Sequence, residues 1–312
     1  MMTAADSAAR HRSLKVGLIL PDTEREMGGA TASWNDLKVM ARLAEDLRFD
    51  SLWNADHLIY RFPDREVQGP WECWSIMAAL AAVTDRVEIG PLVSCTSFRN
   101  PALLAKIADT VDEIAGGRLV LGLGAGWHEP EYLAFGYPFD HRVSRFAEAI
   151  AIIHPLLRNG HVDFVGEYYE ARNCELRPRG PRPGGPPIMF GSTAPRMLGL
   201  LARYGDIWNA WARQDLQELA EDRAKVDAAL EAAGRDPATV ERTVSLLVDL
   251  PNATGRPSEE KPGFRPRQPE ELAEHLQSYA DYGISHVQLM LDPNTTAGID
   301  WAARALEMLD RD

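Results

Sequence analysis

Eight short apolar segments recur along the chain, each separated from the next by a longer amphipathic one, and few architectures accept that rhythm. The segments 14–20, 51–53, 87–93, 119–123, 187–190, 206–208, 244–248 and 286–291 are rich in Val, Ile and Leu, as strands buried on both faces are. Between them, 34–48, 72–83, 101–115, 142–157, 194–203, 216–233, 269–282 and 297–309 space their apolar residues as helices do. Eight strands alternating with eight helices in 312 residues predict an α/β fold, a (β/α)8 TIM barrel. An open doubly wound sheet is the competitor, but it more often has fewer strands. At 45% hydrophobic residues the chain can fill one large core, so 1–312 reads as a single barrel domain.

Three stretches depart from the rhythm. Residues 1–13 are small and polar, lack an apolar signal-peptide core, and read as a flexible tail. Residues 158–187 form an insertion after the fourth helix: a small hairpin turning at Gly166, then a Pro/Gly-rich loop. Residues 250–268 form a long proline-rich loop after the seventh strand, which places it on the face where barrel active sites sit and makes it a candidate lid.

Composition narrows the partners. A net charge of −13 argues against nucleic acid and anionic membrane, and no run of 18 apolar residues predicts a transmembrane helix. Cys73, Cys95 and Cys174 are too few and too scattered to signal a disulfide framework or a metal site. No two histidines sit at ligand spacing on a strand end, which disfavours a metal hydrolase. A cytoplasmic protein acting on a small molecule is expected, with a homodimer left open.

The C-terminal rim of the barrel carries the polar clusters. They are 54–57 after the second strand, 94–100 after the third, 124–128 after the fourth and 191–193 after the fifth. In the fourth, an apolar run breaks into Gly122, Gly124 and Gly126 before Trp127 and His128; this is not a dinucleotide fingerprint, because Trp127 stands where the third glycine belongs. Closely spaced glycines let backbone approach something flat. Gly191, Ser192 and Thr193 open a helix and would be an ordinary N-cap, or an anion site if that N-terminus faces a cavity.

Several of these pieces, taken together and in order, resemble the bacterial luciferase-like flavin and deazaflavin oxidoreductases, in particular their coenzyme F420-dependent branch. They are Asp50-Ser51-Leu52-Trp53-Asn54-Ala55-Asp56-His57, Ser97-Phe98-Arg99-Asn100-Pro101, the glycine-rich run 116–127, 162–169 and Pro187-Ile188-Met189-Phe190-Gly191. The resemblance implies a TIM barrel, an oxidoreductase activity and a deazaflavin, with FMN as the alternative. It implies that Asp56 contacts the ring and that His57 is catalytic. It implies a non-prolyl cis peptide within Leu92, Val93 and Ser94, cofactor contacts from Gly124, Ala125 and Gly126, and a phosphate turn at Gly191, Ser192 and Thr193. Basic residues Arg256, Lys261, Arg265 and Arg267 of the lid would meet the coenzyme's acidic tail or phosphate.

One departure bears on the substrate. Sugar-phosphate dehydrogenases of that family carry a proton-handling glutamate where this chain has Trp127, which cannot transfer protons and suits the wall of an apolar pocket. Glu129 and Glu131 follow on a helical turn that need not aim them inward. Trp127, His128, Glu131 and Trp71 are therefore the expected substrate pocket, and the substrate is expected to be apolar or aromatic. Three activities fit: F420-dependent hydride transfer, an FMN-dependent monooxygenase served by a separate flavin reductase, and a flavin-binding protein without turnover.

Overall fold

The computed structural model describes residues 12–256 and 261–310, so all but the last two residues of the expected tail lie outside the described residues. Residue 12 is not loose: the Arg12 guanidinium pairs with Asp50 and with Asp310 at 2.9 Å. The strands are β1 (Lys15–Ile19), β2 (Ser51–Asn54), β3 (Glu88–Pro91), β4 (Ser94–Cys95), β5 (Leu121–Gly124), β6 (His161–Val165), β7 (Glu170–Glu175), β8 (Ile188–Phe190), β9 (Ile207–Ala210), β10 (Glu241–Asp249) and β11 (His286–Asp292). The helices are α1 (Trp34–Asp46), α2 (Cys73–Val83), α3 (Pro101–Ile114), α4 (Glu129–Phe135), α5 (Arg142–Asn159), α6 (Pro195–Tyr204), α7 (Leu216–Ala232), α8 (Pro269–Asp281) and α9 (Thr296–Leu309).

Nine strands hydrogen-bond in the order β3-β2-β1-β11-β10-β9-β8-β5-β4, all parallel. The two ends of that order, β3 and β4, are halves of one barrel strand interrupted at the cis Leu92–Val93 peptide, and a parallel bridge from Ile89 to Leu119 spans the same seam. The sheet therefore closes as the expected eight-stave barrel. The β6–β7 hairpin is the insertion after the fourth barrel helix, here α5.

Alternation along each stave sorts the core into two layers. Val16, Leu18, Leu52, Ile188, Phe190, Leu246 and Leu289 face the helices, whereas Ile19, Trp53, Met189, Leu247 and Met290 fill the barrel interior. Fully burying such a side chain stabilises the fold by roughly 1.5–3 kcal/mol. Trp53 fits because Gly90 is its partner on β3 and Gly17 lies beside its indole; a Cβ on Gly90 would lie 2.6 Å from the indole, and one on Gly17 2.9 Å. Below it, the Trp53 indole donates to Ser51 at 2.7 Å, and Ser51 meets His286 at 2.7 Å. Burial pushes the His286 imidazole down to about 3, so it stays neutral in the barrel floor.

Local sequence explains where the helices start. Ser33 and Asp36 form a capping box on α1, Asn100 caps α3 ahead of Pro101, and Thr295 caps α9. None of the described helices is long and apolar enough to cross a membrane.

The loop after β10 is more ordered than its prolines imply. Phe264 returns to β10, donating to Leu247 at 2.8 Å and accepting from Asp249 at 2.8 Å, and its ring stacks on His275. Arg256, expected to reach a coenzyme tail, is instead buried: it pairs with Asp249 and donates to the carbonyls of Val248 and Met290. Arg265 shares the same carboxylate at 3.0 Å. Asp249 ends a barrel strand, where burial would raise its pKa, and the two guanidiniums outweigh that and hold it lowered. The part of the candidate lid at 257–260 lies outside the described residues.

Candidate active site

The C-terminal mouth of the barrel opens into a cavity of about 580 Å³. His57, Asp56, Leu92, Val93, Gly124, Ala125, Gly126, Trp127, Glu131, Gly191 and Ser192 line it, drawn from the ends of four staves and from α4. Ser94, Thr193, His128 and Trp71, also expected at the site, do not line it.

Asp56 sits at the end of β2, almost wholly buried, and its charge is fully answered. Arg99 binds it with both guanidinium nitrogens, at 2.6 and 3.0 Å, while the Ser94 hydroxyl and the Cys95 amide donate at 2.8 and 3.0 Å. Trp74 donates to that same Ser94 hydroxyl. Ser94 thus stands behind the wall, holding Asp56 rather than meeting a ligand. Burial would lower the Arg99 pKa, but Asp56 and Glu72 together raise it. Arg99 lies in the 97–101 motif but was not singled out from sequence; a buried carboxylate needs such a partner.

His57 is organised by α4. Its Nδ1 meets Glu131 at 2.9 and 3.2 Å, and the same carboxylate accepts the Leu58 amide at 2.9 Å. Glu131 therefore points inward, which the sequence left open. A carboxylate accepting at Nδ1 leaves Nε2 as the nitrogen that exchanges a proton. Tyr60 and Trp127 flank the ring, with centroids 4.6 and 5.5 Å away. Trp127 is half exposed at the mouth and stacks on Phe62.

His128 turns away. Its Nε2 accepts the Arg61 amide at 3.0 Å, fastening the loop after β2 to α4, and burial lowers its pKa, which keeps it an acceptor. Trp71 donates to the Ala32 carbonyl at 2.8 Å, pinning the loop after β1. Trp208 packs in the core with its indole on the Ser192 carbonyl, whereas Trp211 reaches the cavity. Residues not foreseen in the lining include Asp22, Tyr60, Arg142, Asn209 and Met290. Arg142 donates to the Gly126 carbonyl at 2.8 Å, and only the loop's folding brings it there.

The geometry accepts a flat, phosphate-bearing group. Gly126 has φ +75° and lies over the Tyr132 hydroxyl and Cys95, so no side chain fits there. Gly191 differs: a Cβ would meet only Val93, at an ordinary 3.6 Å, so its missing side chain leaves room for a ligand. Next to it, α6 is capped by Ala194 with no side-chain cap bond, and Ser192 accepts the Ala194 amide at 3.2 Å. The expected Ser–Thr helix cap is thus displaced by one turn residue, which leaves first-turn N–H groups of α6 able to receive an anion. Gly191→Leu is expected to weaken cofactor binding at least tenfold while leaving the melting temperature within a few degrees. Fluorescence titration and thermal melting check it; a variant that unfolds early but binds normally would refute this use of the glycine.

A model of the family described as luciferase-like monooxygenase matches residues 14–250. The chain is 34% identical over 218 residues to a 5,10-methylenetetrahydromethanopterin reductase from Archaeoglobus fulgidus, covering 69% of this chain and 60% of that protein. It is 32% identical over 220 residues to an F420-dependent glucose-6-phosphate dehydrogenase from Amycolatopsis mediterranei, covering 68% and 64%. The matched region thus spans under two thirds of these curated relatives' length. In three dimensions it is similar to an F420-dependent secondary alcohol dehydrogenase in complex with an F420-acetone adduct, at 21% identity and a TM-score of 0.79, over 96% of this chain and 100% of that one.

Proposed function

The chain belongs to the luciferase-like monooxygenase family, and from that premise we propose that it is an oxidoreductase transferring a hydride between coenzyme F420 and a small apolar or aromatic organic substrate. The observation that carries this reading is the cavity itself, where the His57–Glu131 pair, the anchored Asp56 and the glycine wall converge. When bound, the deazaflavin would give or take the hydride. Gly124, Ala125, Gly126 and Gly191 would hold its ring and side chain, and Ser192 with the start of α6 its phosphate. Asp56, fixed by Arg99, is the ring contact. His57 moves the accompanying proton at Nε2, and Glu131 orients it. Trp127 and Trp211 offer apolar surface at the mouth and exclude water from the reacting face.

F420 is expected to bind more tightly than FMN when each is titrated against the purified protein and fluorescence quenching is followed. Tighter FMN binding would favour the second reading, an FMN-dependent monooxygenase supplied by a flavin reductase, for which the family's description as luciferase-like monooxygenase speaks. Binding of either without turnover across a substrate panel would favour a carrier.

A further inference from the structure

On the wall contributed by the loop after β1, the cavity holds a second acidic group that the His57 mechanism does not use. Asp22 lines the cavity, is only 4% exposed, and its Oδ2 faces no hydrogen-bond donor. Its carboxyl stands against that of Glu26, which is 6% exposed. Glu26 is held by backbone hydrogen bonds: its Oε2 accepts the amides of Asp22 at 2.9 Å and Thr23 at 3.3 Å. Two carboxyls in contact and out of water do not both ionise, since each charge raises the cost of the other.

The charged groups of the His57 site are committed elsewhere. Asp56 is spent on Arg99, and His57 on Glu131. The Ala55 amide is the donor that reaches the Asp22 carboxyl from β2's loop. Burial, followed by the Glu26 charge, raises the Asp22 pKa well above the usual carboxylate range. The backbone keeps the pair in place: Trp71 donates to the Asp22 carbonyl at 3.2 Å, and residues 23 and 70 form a bridge.

We propose, building on the oxidoreductase reading, that Asp22 is a neutral carboxylic acid in the cavity wall, with Glu26 its charged partner, and donates a hydrogen bond to an acceptor oxygen or nitrogen of the bound organic ligand. The ligand chemistry is a carbonyl or a comparable acceptor, which either the coenzyme's ring or the substrate supplies. No proton leaves the acid; its hydroxyl turns from Glu26 to the ligand. Asp22 is then a specificity-determining residue that selects uncharged or anionic acceptors against cations, which would draw the pair into its doubly charged form.

Infrared difference spectroscopy of the intact protein at neutral pH tests this through the deuteration-sensitive C=O stretch of a protonated carboxyl. One such band is expected, absent from Asp22→Asn and shifted when a ligand binds. A shift with F420 alone places the acceptor on the coenzyme; a shift only after acetophenone joins the F420-loaded protein places it on the substrate. Absence of the band overturns the proposal. So does a band lost in Glu26→Gln yet kept in Asp22→Asn, which would put the proton on the other partner. A band that no ligand moves, or that vanishes as a ligand binds, overturns the donor role. F420 fluorescence in the same sample reports whether the coenzyme binds, so failure of the cofactor reading is seen separately; FMN then takes its place in the ligand arm.

Discussion

Replacing His57 by alanine is expected to lower turnover by about 10²–10⁴-fold while leaving cofactor affinity within a few fold, the usual scale for losing a general acid or base. The separation follows from the geometry. The proposed cofactor contacts come from Asp56, the glycine wall and α6, whereas His57 meets Glu131, the flanking rings and the cavity. Glu131→Gln should lose less than His57→Ala, because the amide oxygen still accepts from Nδ1. Both are read from reoxidation of reduced coenzyme with an accepted substrate, beside the fluorescence titration of affinity. Full activity in His57→Ala would remove it from the proton path and leave the site to other donors.

The largest stability effect is expected from Arg99→Leu. It strips a buried carboxylate of both guanidinium bonds and leaves Asp56 with only the Ser94 hydroxyl and the Cys95 amide. Breaking such a pair from one side costs about 3–5 kcal/mol, mostly through the uncompensated charge. Adding Asp56→Asn to that variant should recover part of the loss, because no charge is then stranded. By contrast, Glu88→Gln removes the half-exposed Lys15–Glu88 pair, 2.8 Å long, and should cost no more than about 1 kcal/mol. Denaturant midpoints of the variants decide it. Equal losses in Arg99→Leu and Glu88→Gln would mean water reaches Asp56 more freely than its burial implies.

The barrel was legible because its staves are buried on both faces, so 14–20, 119–123 and 286–291 stand out as apolar runs against their helical surroundings. The third stave reads as one continuous strand, 87–93, because its apolar run does not show the break between β3 and β4; only the family resemblance implies a cis peptide there, and it falls at Leu92–Val93. Helix α4 reads from sequence only as a helical turn, because seven residues make too short a period to fix its faces, and so the inward aim of Glu131 is left open. The rim clusters named the ends of the right staves, but not which side chains turn into the cavity. His128 and Glu131 are three residues apart on one turn, yet only one lines the space. Arg256 shows the reverse error: its charge looked free in a proline-rich loop, and its partner Asp249 could be found only once β10 ended beside it. Asp22 and Glu26, four residues apart with nothing to mark them, meet because the loop after β1 folds back on itself.

Helix α4 has one further consequence. Glu131 and Tyr132 are buried, while Leu133 stands in solvent on the side opposite Glu131, and Trp127 is half exposed ahead of the helix. The carboxylate that meets His57 and an exposed apolar side chain are thus carried by one helix of about two turns, on separate faces. Position 133 could therefore change without disturbing the aim of Glu131 at His57 on the other face of the helix.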